Sequence, residues 1–173
     1  KAVANAQVNL YYDNAVKLNT TATGVTVTGA IAGATNLGKV LQVVTANHGT
    51  QVVSSSTTFV DTGVTASITP SATSSKILVT VSQMGLDKRS NNTYMHLITL
   101  RGSTQIHTAN GQELYNGNTN VNTGSCTWSY LDSPSSTSAV TYKTQFKSVS
   151  GSSQVSVQWS GATSTITLME IAG

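Results

Sequence analysis

The residues able to do acid–base or nucleophilic chemistry are few and scattered. Six carboxylates occur in 173 residues: Asp13, Asp61, Asp87, Glu113, Asp132 and Glu170. Glycoside cleavage needs two carboxyl groups flanking the bond, one to protonate the leaving oxygen and one to attack the sugar or activate water. That requirement nominates Glu113 with Asp132 or Asp87, yet no spacing ties Glu113 to either. Asp61 precedes Thr62-Gly63 and Asp132 precedes Ser133-Pro134, settings in which Asp caps a turn by accepting from backbone N–H groups. Turn roles are expected for both. His48, His96 and His107 lie far from one another and from the single cysteine, Cys126, so no local metal-ligand spacing exists. Within Tyr94-Met95-His96-Leu97-Ile98, His96 reads as a hydrogen-bonded histidine on a strand face shared with Tyr94 and Ile98, or as a ligand between subunits. Cys126, between Ser125 and Thr127, reads as a small buried apolar residue. The expectation is no enzyme, no metal and no cofactor.

Polar recognition is better represented. Asn116, Asn118, Asn120 and Asn122 alternate along the chain, so an extended backbone aims all four amides the same way. Alternating Asn imitates the early ligands of a calcium loop, but no carboxylate supplies the charge that tight Ca²⁺ binding needs. Two readings remain: a projecting polar loop, or a surface for sugar hydroxyls, since an amide donates and accepts at once. Tyr115 and Trp128 flank the run and offer apolar faces to a pyranose ring, although Trp128 suits a core equally well. Lys88-Arg89-Ser90-Asn91-Asn92 lies between two strong strand signals and is expected to protrude as well. Its charges either keep a loop solvated or meet anionic sugars or phosphates. Asn91-Asn92-Thr93 also fits a glycosylation sequon, relevant only in a eukaryotic secretory pathway. Candidate receptor-binding residues are therefore Lys88, Arg89, Asn91, Asn92, Tyr115, Asn116, Asn118, Asn120 and Asn122.

The elements that must position these loops are strands. Charged residues make up 9% of the chain, against about 25% in ordinary domains, while 23 Ser and 28 Thr outnumber them threefold. Thr and Val favour strands, and strong helix formers are scarce. Two prolines and so little charge also argue against disorder. The net charge of +3 is spread thinly, with only Lys88-Arg89 adjacent, so no basic stripe for nucleic acid exists. The longest uncharged run, residues 148–169, is too polar to insert in a bilayer. With no leader-like opening and Lys1 in place of Met, the chain is expected to be a piece of a longer one.

Strand signals recur at residues 40–46, 57–61, 64–69, 76–84, 93–101, 104–108, 125–132, 140–149, 154–159 and 164–171, separated by clusters such as Asp61-Thr62-Gly63 and Ser150-Gly151-Ser152-Ser153. About ten short strands at this beat indicate an antiparallel sandwich or barrel. Period 2 is plain in Lys76-Ile77-Leu78-Val79-Thr80-Val81-Ser82 and again in Val155, Val157 and Trp159. The first 38 residues differ. Pieces around Val8-Asn9-Leu10-Tyr11-Tyr12 and Gly24-Val25-Thr26-Val27-Thr28-Gly29 flank turn residues Asp13-Asn14, with a Gly/Ala-rich linker over residues 29–38. Too few apolar residues are present for a private core, so this segment should order only against copies of itself or a neighbouring domain.

Two stretches resemble a known family. The run from Leu10 to Gly29, of pattern LYYDNxxKLxTTxxGVxVTG, is similar to a unit of tail fibres from marine bacteriophages, including those infecting cyanobacteria. Lys39-Val40-Leu41-Gln42-Val43-Val44, Ser67-Ile68-Thr69-Pro70-Ser71-Ala72-Thr73-Ser74-Ser75-Lys76-Ile77-Leu78-Val79, Tyr130-Leu131-Asp132-Ser133-Pro134, Thr141-Tyr142-Lys143-Thr144-Gln145-Phe146 and Ile166-Thr167-Leu168-Met169-Glu170-Ile171 resemble the terminal domain of such fibres. The resemblance implies a homotrimeric virion appendage attached to an upstream shaft and tail proteins. Residues 1–38 would be shaft or neck, and residues 39–173 a jelly-roll-like antiparallel β-sandwich head. Its implied function is adhesion to a host polysaccharide or lipopolysaccharide, without nucleic-acid binding or membrane insertion. A polysaccharide-degrading tip and a purely structural decoration are the alternatives. The resemblance assigns no receptor-binding residues.

Overall fold

The computed structural model describes residues 8–28, 38–113 and 121–173, with backbone alone at 110–113. The chain divides into two compact units, Lys1–Leu37 and Gly38–Gly173.

In the first unit β1 (Asn9–Tyr12), β2 (Ala15–Thr21) and β3 (Gly24–Val27) form an antiparallel meander. Asp13 and Asn14 both take positive φ, 53° and 55°, as a tight two-residue hairpin requires. Strand β2 is additional to the elements expected from sequence, because Lys17 and Asn19 interrupt its apolar residues. Within this unit Leu10, Tyr11 and Tyr12 stay exposed, Tyr12 at 76%.

The second unit is an all-β, antiparallel fold of two packed sheets. One sheet runs β4 (Val40–His48), β13 (Ser164–Ile171), β7 (Lys76–Lys88), β12 (Val155–Val157), β5 (Val52–Ser54), and β10 (Asn122–Asp132) lies along the other side of β7. The other runs β6 (Val60–Ile68), β11 (Val140–Ser148), β8 (Met95–Arg101), β9 (Thr104–Glu113). Period 2 sends Ile77, Val79, Val81, Ile166 and Leu168 inward from the first sheet to meet Val64, Leu97, Tyr142 and Phe146 of the second. Each such burial contributes about 1.5–3 kcal/mol.

Polar side chains also tie the sheets together. Arg101 Nη1 donates to both oxygens of Asp132 at 2.9 Å, and the Tyr142 hydroxyl donates to Asp132 Oδ2 at 2.7 Å. Burial first, then the bond and charge of Asp132, push the Tyr142 phenol far above its ordinary value, outweighing Arg101. Asp61 accepts from Gln145 Nε2 at 2.7 Å and pairs with Lys143 at 2.9 Å on the adjacent strand. Both aspartates therefore hold cross-strand side chains, which corrects the turn-capping expectation. Asp61-Thr62-Gly63 is not a turn either. It lies inside β6, where the register steps from Thr65↔Lys143 to Asp61↔Gln145, and Gly63 at φ 87° absorbs the extra residues as a bulge. Strand β5 is new, and β7 runs four residues past its expected end.

Candidate ligand cleft at the end of β7

The long strand β7 changes phase near its end. Gln83 opposes Cys126 and Leu86 opposes Gly124, so Met84 and Gly85 together face Ser125. Gly85 takes φ 59°, the left-handed bulge conformation that glycine enters without steric penalty. The bulge re-aims the last three residues of the strand. Lys88, expected in a protruding loop, is the final residue of β7 and fully buried. A side chain with no exposure cannot be a surface contact, so Lys88 is withdrawn as a receptor-binding candidate.

Asp87 is 1% exposed. Its Oδ2 accepts from Arg89 Nε at 2.6 Å and lies 3.5 Å from the Ser156 hydroxyl. Its Oδ1 is buried with no hydrogen-bond partner, a condition that costs about 1–3 kcal/mol, more for a charged group. Arg89 is fixed from three directions: its N–H donates to the Gln154 carbonyl at 3.2 Å, Nε holds Asp87, and its guanidinium lies 4.1 Å from the Trp159 ring centroid.

Trp159 is presented by a 3₁₀ turn, η1 (Trp159–Gly161), between β12 and β13. Gln158 and Ser160 take φ 56° and 57°, left-handed values rare outside glycine and asparagine. Buried Gln158 anchors the turn, donating from Nε2 to Ser164 Oγ at 3.0 Å and from its N–H to the Met84 carbonyl at 3.0 Å. A Cβ on Gly85 would stand 2.5 Å from the Trp159 nitrogen, so turn and bulge are seated directly on one another. The expectation that Trp159 shares the buried face of Val155 and Val157 is corrected here. The chain leaves strand geometry at Gln158, and the indole ends 39% exposed.

These groups surround an open cleft of about 210 Å³, lined by Gln51, Val53, Asp87, Arg89, Gln154 and Trp159 among others. That is smaller than the ~300–1,000 Å³ of pockets for drug-sized ligands, so the cleft suits one small ring. It presents an aromatic face, a neutralised Asp–Arg pair and two primary amides.

The remaining candidates fall into separate places. Asn91 and Asn92 are exposed between β7 and β8, with Asn92 at φ 50°. Asn122 opens β10, half-buried, with its backbone opposite Lys88, so the fold brings these two ends together. Tyr115, Asn116, Asn118 and Asn120 lie outside the described residues. Trp128 belongs to the core, its Nε1 donating to Thr99 Oγ1 across the sheets at 2.9 Å. His96 is half-buried and stacked on Tyr94 at 5.4 Å; desolvation, then Lys147, lower its pKa. Sequence reading missed Trp159, Gln51 and Gln154 as cleft residues, and weighed Asp87 only as a catalytic acid. The available signal was Ser160-Gly161 directly after Trp159, a turn cue that ends a strand.

No protein-family model matches the chain, and no curated protein matches it with significant similarity.

Proposed function

We propose that this chain is the distal part of a bacteriophage tail fibre, which adheres without catalysis to a polysaccharide or lipopolysaccharide on the host surface. The observation that carries the reading is the cleft under Trp159, where an exposed aromatic, a charge pair and amides converge on a rigid two-sheet base beside the exposed Asn91-Asn92 loop. Rigid strands holding a changeable polar rim suit recognition, and the tail-fibre resemblance supplies the setting. In that setting the chain is a homotrimer on the virion exterior, joined to shaft and tail proteins. Uncovered Leu10, Tyr11 and Tyr12 favour packing by copies. Three copies presenting one weak site in one direction gain about 10²–10⁴ in avidity without any new contact.

Adsorption of the labelled protein to intact cells, across marine bacteria including cyanobacteria, tests the reading. Saturable coating of one host, with slower infection by phage that use it, is the expected result. Absence of coating on every host overturns it. Release of reducing sugar from host envelope moves the assignment to a depolymerase.

A further inference from the structure

Three features of the cleft select its ligand. The first is charge. Arg89 is the cation at its rim, and its Nε is already engaged by Asp87 at 2.6 Å, so the pair offers no net positive charge to an anion. The second is the orphaned Asp87 Oδ1, nine-tenths buried and unpartnered. With no solvent-accessible surface it meets no ligand directly, but its negative charge in the cleft wall would repel a carboxylate or phosphate. The third is Trp159. Arg89 lies over the ring at 4.1 Å, yet the indole remains 39% exposed and offers apolar surface to a C–H face. Gln51 and Gln154 add amides that donate and accept.

We infer that the cleft is a binding subsite for a single neutral pyranose ring, which stacks on Trp159 and meets the Gln51 and Gln154 amides. This rests on the glycan-adhesion reading and narrows it. Anionic sugars, which an exposed Lys88-Arg89 pair would have favoured, are selected against. Because the charges are already paired, binding is nearly independent of salt, whereas attraction of an anion to a free surface cation is screened within about 8 Å at physiological ionic strength.

The test is saturation-transfer NMR and calorimetry on the whole chain. The probes are methyl glycosides of glucose, mannose, galactose and N-acetylglucosamine, with glucuronate, galacturonate and glucosamine as charged counterparts. At least one neutral glycoside should bind, its affinity changing less than about twofold between low and high salt. Trp159→Ala and Gln154→Ala, both at exposed positions, should weaken it about tenfold or more with unchanged circular dichroism. Tighter binding of a uronate or of glucosamine than of every neutral sugar overturns the inference. So does neutral binding indifferent to Trp159→Ala and Gln154→Ala, or no binding at all by a protein that still coats host cells. Neutral-sugar binding by a protein that coats no host would sink the adhesion reading and leave the subsite standing.

Discussion

Glu170 is a fully buried carboxylate that must stay ionised. Burial alone would raise its pKa. Bonds from the Ser71 hydroxyl and N–H, the Ser75 hydroxyl and Gln42 Nε2, at 2.6–2.7 Å, outweigh burial and bring it from 4.5 down to about 2. A carboxylate whose folded pKa is depressed stabilises the fold above its unfolded pKa and loses that contribution as pH falls through the folded one. Urea midpoints should therefore decline between about pH 4.5 and 2, the interval set by those two values. Glu170→Gln should be less stable than wild type at pH 7, by on the order of 3 kcal/mol, and the two should converge near pH 2. Parallel curves over that interval would remove Glu170 as the cause. The two tryptophans give a second contrast. Trp128→Ala empties core volume and should cost about 3–5 kcal/mol, while Trp159→Ala should stay within about 1 kcal/mol in the same melts, its ring being partly solvated. Both sit on period-2 patterns, and in the sequence only the Ser160-Gly161 turn cue after Trp159 hints at a difference. What separates them is Gln158 in a left-handed conformation, which sequence preference gives no reason to expect of glutamine.

At the scale of elements, the bulge in β7 and the turn η1 act as one device. Gly85→Ala would force a Cβ to 2.5 Å from the Trp159 nitrogen at φ 59°. Thermal melts should show a loss of about 1–3 kcal/mol, and the Trp159 emission should shift as the turn lifts; an unchanged melt and spectrum would separate turn from bulge. Strands with clean alternation were legible in the sequence: residues 164–171 were expected and found, as was the inward face of Ile77, Val79 and Val81. Bulges were not. Asp61-Thr62-Gly63 carries turn chemistry, yet β11 on one side keeps it in the sheet. Met84-Gly85 likewise hid four further residues of β7, and with them the burial of Lys88. Tertiary pairing overrode local preference at both places.

At the scale of the molecule, the first unit leaves Tyr11 and Tyr12 63% and 76% exposed. On the fibre reading, light scattering should give about three chain masses at micromolar concentration. Tyr11→Ser with Tyr12→Ser should move that value towards one chain while the far-UV spectrum keeps its β character. A wild-type monomer would sink the trimer. Division of the chain near residue 38 was legible from the Gly/Ala-rich stretch and the change of beat around it. The cleft was only partly so, because Gln51, Asp87, Gln154 and Trp159 come from distant segments that become neighbours only once β5, β7 and β12 are paired.

Strand β13 lies between β4 and β7, and among the described residues β4 has no other partner in its sheet. During synthesis, then, Val40 to His48 emerge early and must wait for residues 164–171 before their backbone can pair. At ~5–20 residues per second that interval is roughly 6–25 s. For all of it a nine-residue strand bearing Val40, Leu41, Val43 and Val44 is an open edge, available to the same strand of a neighbouring nascent chain.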